Sequence, residues 1–382
     1  MARTRRQFIR IAGSAAVILA AGATGFAVTR SPEKALRPWR EAGGGYADPR
    51  LRALSHAVLA PNPHNMQPWL VTLEGEDGFT LSSDRARLLP HTDPYSRQIV
   101  IGLGCFLELM RMAAAADGYR ADVALFPEGE PGPALDDRPV ARVRLARDGG
   151  AMADPLFAQV FDRRSNKDPF DMARPVARAD MEAIAAAAEG AFAGVIDDAE
   201  GIAYFRDLTW RAHLVEVETP RTYMESVDVM RIGKAEIEAS PDGIDLGGPM
   251  LEALNLAGIM THATLADMSS SAYAQGIEMY RAILGSAMGY VHLATDGNTR
   301  LDQIAAGANW LRMNLKATEL GIGIHPLSQA LQEYPEMAVL YSEMHAALGH
   351  QGRTVQMFAR VGYGPALGPS PRWPIEAKIV PA

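Results

Sequence analysis

Two stretches of this chain spell the same kind of helix. Gly104 to Gly118 and Gly307 to Gly321 are equally long, each is preceded by an arginine (Arg97, Arg300), and each carries apolar residues at helical spacing. Both lead toward a strand-like segment, so the chain reads as two copies of one α+β unit. Joined head to tail, the copies would bury a shared helical interface, like a dimer made from one chain. Of the 382 residues 48% are apolar and only 21% charged, enough for both cores and incompatible with a disordered chain.

The N-terminus has a different character. Thr4-Arg5-Arg6-Gln7-Phe8-Ile9-Arg10 precedes an uncharged, Ala/Gly-rich apolar run from Ile11 to Val28. A basic n-region followed by an h-region is a targeting segment, and the Arg5-Arg6 pair resembles a twin-arginine export signal. The expected location is outside the cytoplasmic membrane, in the periplasm or anchored to the membrane's outer face through residues 11–28. The sequence leaves cleavage and anchoring both open. Without residues 1–27, 33 cations face 45 acids, a formal charge of -12 in place of -8, which argues against nucleic acid as a partner.

The rest divides into a Pro/Gly-rich linker at 29–49, a first unit at 50–155 and a second at 156–382, with residues 211–295 expected as an inserted helical cap. Alternation in Trp69 to Leu73, the turn signal Asp77-Gly78 and Phe79-Thr80-Leu81 read as a hairpin. Further strands are expected near 121–126 and 139–145.

Four segments could carry chemistry. Ala60-Pro61-Asn62-Pro63-His64-Asn65-Met66-Gln67-Pro68-Trp69 is a loop stiffened by three prolines, with Asn65 and Gln67 offering donors and acceptors to a heteroaromatic edge. Asp162-Arg163-Arg164-Ser165-Asn166-Lys167 places three cations and a hydroxyl where they can neutralise a phosphate. If extended, it turns Arg163, Ser165 and Lys167 to one side and Arg164 away. Gly321-Ile322-Gly323-Ile324-His325-Pro326-Leu327-Ser328-Gln329 follows the second repeated helix, and Val361-Gly362-Tyr363-Gly364 precedes Pro369-Ser370-Pro371-Arg372.

Together these segments resemble the nitroreductase family of FMN flavoproteins, and its twin-arginine-exported, Acg-like branch in which two nitroreductase units are fused. The resemblance implies a nitroreductase-like α+β fold: two diverged units as an intramolecular pseudo-dimer with an inserted cap. It implies FMN as cofactor, gripped by Arg163 and Ser165 near the phosphate and ribityl chain and by Lys167 near the ring. Pro63, His64 and Asn65 would reach the flavin from the other unit, although Asn62 and Pro63 replace the serines usual in that loop. Pro326, Leu327, Ser328 and Gln329 would approach flavin N5 through backbone amides, and Arg372 would bind the phosphate. Only one complete set of these motifs is present, so one flavin per chain is expected, in a monomer that imitates a dimer.

One cysteine, Cys105, rules out an internal disulfide or a CxxC redox centre. No histidine pair has the i, i+4 spacing of a helical metal site, no G-x-S-x-G elbow is present, and no G-x-G-x-x-G follows a strand. No metal and no acid–base side chain is expected. The flavin would carry two-electron reduction of a small-molecule acceptor, a nitroaromatic or quinone. The alternative is an FMN-storing or sequestering protein whose cap blocks turnover.

Overall fold

The computed structural model describes residues 29–381; the export-signal reading of residues 1–28 lies outside the described residues. The chain forms α1 (Glu33–Glu41), α2 (Pro49–Ala57), β1 (Trp69–Glu74), β2 (Gly78–Ser83), α3 (Arg97–Ala116), β3 (Tyr119–Leu125) and β4 (Ala141–Arg147). Then come α4 (Arg178–Ala186) and β5 (Phe192–Ile196). A long excursion carries α5 (Ala199–Glu218), α6 (Pro220–Asp228), β6 (Met230–Ile232), α7 (Gly233–Ala239), β7 (Ile244–Leu246), α8 (Pro249–Leu256), α9 (His262–Ala266) and α10 (Ser271–Gly285). The chain closes with β8 (Gly289–Thr295), α11 (Arg300–Glu319), β9 (Gly323–Pro326), α12 (Ala338–Ala347) and β10 (Thr354–Gly362).

The two units repeat one topology. Each has a four-stranded sheet, in order β1-β2-β4-β3 and β5-β8-β10-β9, and each sends its long helix out after the second strand and back before the third. All pairings within the two sheets are antiparallel. The first unit crosses from β1 to β2 by a tight turn at 75–77, whereas the second inserts residues 197–288 at the same point. This corrects two expected boundaries. The insertion is not 211–295, because Gly289–Thr295 is fully buried as a central strand, and its largely apolar sequence, interrupted only by His292 before Thr295, looks the same as a buried cap helix. Residues 29–49 are not a plain linker either: α1 occupies Glu33–Glu41, and its Trp39 is buried with Nε1 donating to the Ser370 carbonyl at 2.7 Å.

The repeated helices meet along their small residues. A Cβ on Gly104 would lie 2.3 Å from the Ile304 carbonyl oxygen, and one on Gly307 would lie 2.1 Å from the Ile101 carbonyl oxygen. The relation is reciprocal, as a two-fold interface requires: each glycine faces the backbone of the partner helix one turn before the partner's glycine. The Cys105 thiol adds a contact, donating to the Gly307 carbonyl at 3.1 Å. α3 is apolar almost all round and long enough to cross a membrane by length and composition, but it is 83% buried over its most apolar window and forms the core between the sheets.

Arg97 and Arg300 open these helices, where a cation opposes the helix dipole. Their side chains explain the placement, because each crosses to the other unit. Arg97 donates to the carbonyls of Leu331, Val355 and Gln356 and pairs with Glu333 at 3.0 Å. Arg300 donates at 2.8 Å to the carbonyls of Tyr95, Gly132 and Pro133. The C-terminal segment also returns to the first unit: Val380 N bonds the Val71 carbonyl at 2.9 Å, and the buried Lys378 ammonium donates to the Gln67 carbonyl at 2.8 Å.

Gly104→Ala and Gly307→Ala are each expected to destabilise the protein by about 1–3 kcal/mol, since a methyl group must push two backbones apart. Gly276→Ala, in α10 with nothing within 4 Å of its added Cβ, is the matched control and is expected to be neutral or stabilising. Urea unfolding midpoints with unchanged m-values provide the measurement.

Candidate functional site

The Pro-rich loop between α2 and β1 is held in a conformation that its residues do not adopt freely. His64, Asn65 and Gln67 all lie in the left-handed region, with φ of 45°, 54° and 52°, at a cost on the order of 1 kcal/mol each. Surrounding bonds fix it. The Gln67 amide N–H donates to Asn62 Oδ1 at 2.7 Å, its side chain donates to the carbonyls of Pro241 and Asn65, and its Oε1 accepts from Trp373 N at 2.8 Å. Gln67 is therefore a buried clasp between the loop, the insertion and the C-terminal segment, not the ring-edge recogniser its composition suggests.

Two guanidinium groups converge behind the loop. Arg163 (4% exposed) donates to the Leu59 carbonyl at 3.2 Å, and Arg372 (3% exposed) donates to the same carbonyl at 3.4 Å and to that of Ala60 at 3.3 Å. Arg372 also donates to Asn65 Oδ1, while Asn65 Nδ2 donates to the Pro371 carbonyl at 3.0 Å. Among the described residues none of Arg163, Arg164, Lys167 and Arg372 forms an ion pair. Burial, followed by the neighbouring Arg164, pushes Arg163 down to about 10, and burial followed by Arg163 pushes Arg372 down to about 9. Both remain cationic at neutral pH. Arg372 Nε and His64 Nδ1 are buried without a partner. Asp245 lies within electrostatic reach of Arg372 and Lys167 without a salt-bridge contact, and buried cations that repel one another are costly unless an anion joins them, so the residues present fit a phosphate-bearing group.

The Asp162–Lys167 segment reaches this place along the edge of the second sheet. Asn166 N bonds the Ile324 carbonyl of β9 at 2.9 Å, and a Cβ on Gly362 would stand 2.4 Å from the Phe170 ring, so the glycines at 323, 362 and 364 seat Phe170 and Asn166. Arg360 holds the segment from below. Wholly buried in β10, it donates to the carbonyls of Asn166 (3.2 Å) and Asp168 (2.8 Å), to Ser286 Oγ and to His325 Nδ1 at 2.9 Å. His325 thus carries its proton on Nε2, and burial with Arg360 and Lys167 nearby keeps it neutral. Sequence reasoning missed Arg360, although a lone cation inside Met357-Phe358-Ala359-Arg360-Val361 is a legible signal of a buried anchor.

The expected site residues are thus brought together in part. Arg163, Arg372, His64 and Asn65 form one cluster, and exposed Lys167 is within electrostatic reach of His64 and His325. The alternation expected for Arg163, Ser165 and Lys167 is not observed: Arg163 and Asn166 are buried, Ser165 is half-buried and Lys167 exposed, because only Asn166 pairs with the sheet. Arg164 lies 4.8 Å over the Trp39 ring, which Arg372 also faces at 5.6 Å, so it borders the same cluster. Pro63 packs where a Cβ on Gly102 of α3 would meet it at 3.3 Å. Pro326 ends β9, and the Leu327 amide is engaged by the Phe358 carbonyl at 2.8 Å, so Leu327 has no amide to offer a ligand. Among the described residues the amides of Ser328 and Gln329 have no such partner. No group of three or more His, Cys, Asp or Glu able to hold a metal occurs among the described residues.

No family model matches the chain. It is similar to three proteins of Mycobacterium tuberculosis (strain ATCC 25618 / H37Rv). One, uncharacterized protein Rv3127, is 31% identical over 128 residues, 31% of this chain and 36% of the relative. The protein acg, provisionally named an NAD(P)H nitroreductase, is 39% identical over 75 residues, 20% of this chain and 22% of the relative. Rv3131, provisionally named in the same way, is 25% identical over 329 residues, 84% of this chain and 87% of the relative. The chain thus spans about a third of the first of these relatives and most of the last. A solved nitroreductase with bound FMN from Desulfitobacterium hafniense aligns with 60% of this chain and 98% of its own, at 15% identity and a TM-score of 0.33.

The cation cluster predicts that inorganic phosphate stabilises ligand-free protein, by about 2.7 kcal/mol at a hundredfold excess over its Kd. Thermal unfolding should move up with phosphate and not with chloride at equal ionic strength, and Arg372→Met should abolish the response. Acid should act in the opposite sense. Burial holds His64, His213 and His292 down to about 4, so the unfolded chain binds more protons between pH 6.5 and 4. The histidine contribution is expected to be full above pH 6.5 and to fall toward pH 4, partly offset by Asp93, which burial raises to about 6, and His213→Phe should make stability fall less steeply with acid.

Proposed function

We propose that this chain is an FMN-dependent oxidoreductase of the nitroreductase type, formed from two diverged, fused units and reducing a nitroaromatic, quinone or similar small acceptor by two electrons. The observation that carries the reading is the convergence of Arg163 and Arg372 on one carbonyl, with Asp245 within electrostatic reach of Arg372 but no carboxylate in salt-bridge contact with either among the described residues. Similarity to Rv3131 over 84% of the chain supports the same class. FMN, when bound, supplies the two-electron chemistry.

The chain's own residues bind and orient. Arg163 and Arg372 would take the phosphate in a site closed to water, where charge-assisted hydrogen bonds are strongest. Lys167, held at the rim by the Asn166–Ile324 strand pairing, would balance negative charge on the ring. The Ser328 and Gln329 amides, which have no backbone partner among the described residues, would be donors to it, and neutral His325 would offer Nε2–H rather than a cation. Asn65 acts by aligning Arg372, since both ends of its amide are already engaged. No described carboxylate needs to move a proton in this scheme. Export by the twin-arginine machinery, with residues 11–28 as membrane anchor, completes the proposal; it rests on the Thr4–Arg10 pattern and the apolar run.

One FMN per chain is expected, because such a buried cation pair is found once among the described residues. Heat-released flavin measured against protein mass tests this, and a ratio near two contradicts it. Arg163→Ala and Arg372→Ala should each weaken FMN by at least tenfold, with a smaller loss for Arg164→Ala. Anaerobic reduction by dithionite followed by a quinone or nitro compound separates enzyme from store: fast reoxidation identifies turnover.

A further inference from the structure

Helix α8 is built inside out. A surface helix normally turns its charges to water and its leucines to the core. Here the single charge, Glu252, is only 8% exposed and is held by Arg30 at 2.9 Å and by the Lys234 amide at 3.2 Å. Met250 and Leu256 are each 71% exposed, and Ile259, in the turn that follows, is 58% exposed. Residues 253–266 contain no Asp, Glu, Lys or Arg at all. Isolated exposed apolar side chains are ordinary, but an uncharged segment flanked on its helical side by an inward-facing acid, with exposed Asp267 and the His262–Glu236 pair confined to its far end, marks a surface meant for an apolar partner.

The way the chain enters the fold identifies that partner. The residues tying down Glu252 and its neighbour also moor the start of the described chain: Arg30 bonds Glu252, and Lys234 Nζ donates to the Thr29 carbonyl at 3.1 Å. The described chain therefore begins directly beside α8, and in sequence the uncharged apolar run Ile11–Val28 immediately precedes that point. Lys34 and Lys234 stand on the same side, interspersed with Glu33 and Glu238. We propose that the Met250–Leu256–Ile259 surface lies in the headgroup layer of the lipid bilayer that residues 11–28 enter, as a second, interfacial contact with that membrane. The inference rests on the anchor reading above and adds the orientation of the protein on the bilayer. An apolar helix face of this kind buries itself ~5–10 Å into the headgroup and acyl boundary, and basic side chains beside it meet lipid phosphates.

The test uses the full chain with vesicles of phosphatidylethanolamine and phosphatidylglycerol. Cys105 is buried and its thiol is pushed up to about 12, so a polarity-sensitive dye can be placed on Leu256→Cys, on Ile259→Cys and, as control, on Val339→Cys, which is 76% exposed in α12. Circular dichroism confirms that these surface variants keep the fold. Expected are co-sedimentation with vesicles, a blue shift of dye emission at 256 and 259, and severalfold stronger quenching there than at 339. A nitroxide near the headgroup end of the acyl chain should quench more than one near its terminus. Co-sedimentation without quenching at 256 and 259 overturns the proposal and leaves the anchor standing. Failure to co-sediment overturns both. A blue shift that needs no vesicles and grows with protein concentration assigns the surface to a second copy of the chain, and also overturns the proposal.

Discussion

The close backbone approach of α3 and α11, Gly104 against Ile304 and Gly307 against Ile101, is the constraint on which the rest depends. It lets two twenty-residue helices lie in contact at their N-terminal halves, and this contact fixes how far apart the two sheets can stand. With the helices in place, Arg97 and Arg300 reach carbonyls of the opposite unit, and the C-terminal segment can cross back to Val71. The candidate site follows from the same geometry. Pro63 rests on Gly102, two residues before the contact glycine, so a shift between the helices would move the His64–Asn65 loop relative to Arg163.

The site stores unfavourable terms that the fold has to hold in check. Left-handed His64, Asn65 and Gln67 and two buried, unpaired guanidinium groups all oppose folding. They are held by groups from four separate stretches: Leu59 and Ala60, Asn62, Pro241 of the insertion, and Pro371 and Trp373 of the C-terminal segment. The insertion takes part through Asp242 as well. Burial alone would raise this carboxyl, but Trp373 Nε1, Arg87 and Arg231 together hold it below the usual carboxylate range. The insertion is thus a wall of the site as much as a cover, which explains why Gly243 N bonds the Asn65 carbonyl at 3.1 Å.

Much of this was legible in the sequence where one local rule decides the outcome. The paired helices followed from apolar spacing and matched glycines, and the β1–β2 hairpin from Asp77-Gly78. Boundaries failed where two rules compete. Gly289–Thr295 is as apolar as a buried helix, and only its pairing with β5 and β10 makes it a strand. Arg163 and Arg372 stood out because cations cluster near them, but their common carbonyl at Leu59 could not be read, since it depends on residues far apart in sequence. Gln67 and Asn65 looked like ligand-reading amides because sequence shows which hydrogen-bonding groups exist and not which are already spent.

The same distinction separates α8 from every other helix discussed. In α3 and α11 an unusual sequence feature, the glycines or the leading arginine, is answered by a partner inside the chain. Glu252 is answered too, by Arg30 and the Lys234 amide, and that answer is what turns Met250 and Leu256 outward. Turning the helix to bury Met250, which lies opposite Glu252, would expose Glu252 and release Arg30, and so would loosen the point where the chain enters the fold. The outward apolar face is therefore not a packing accident that a small rotation would relieve; it is the consequence of fixing the N-terminal segment at this edge of the insertion.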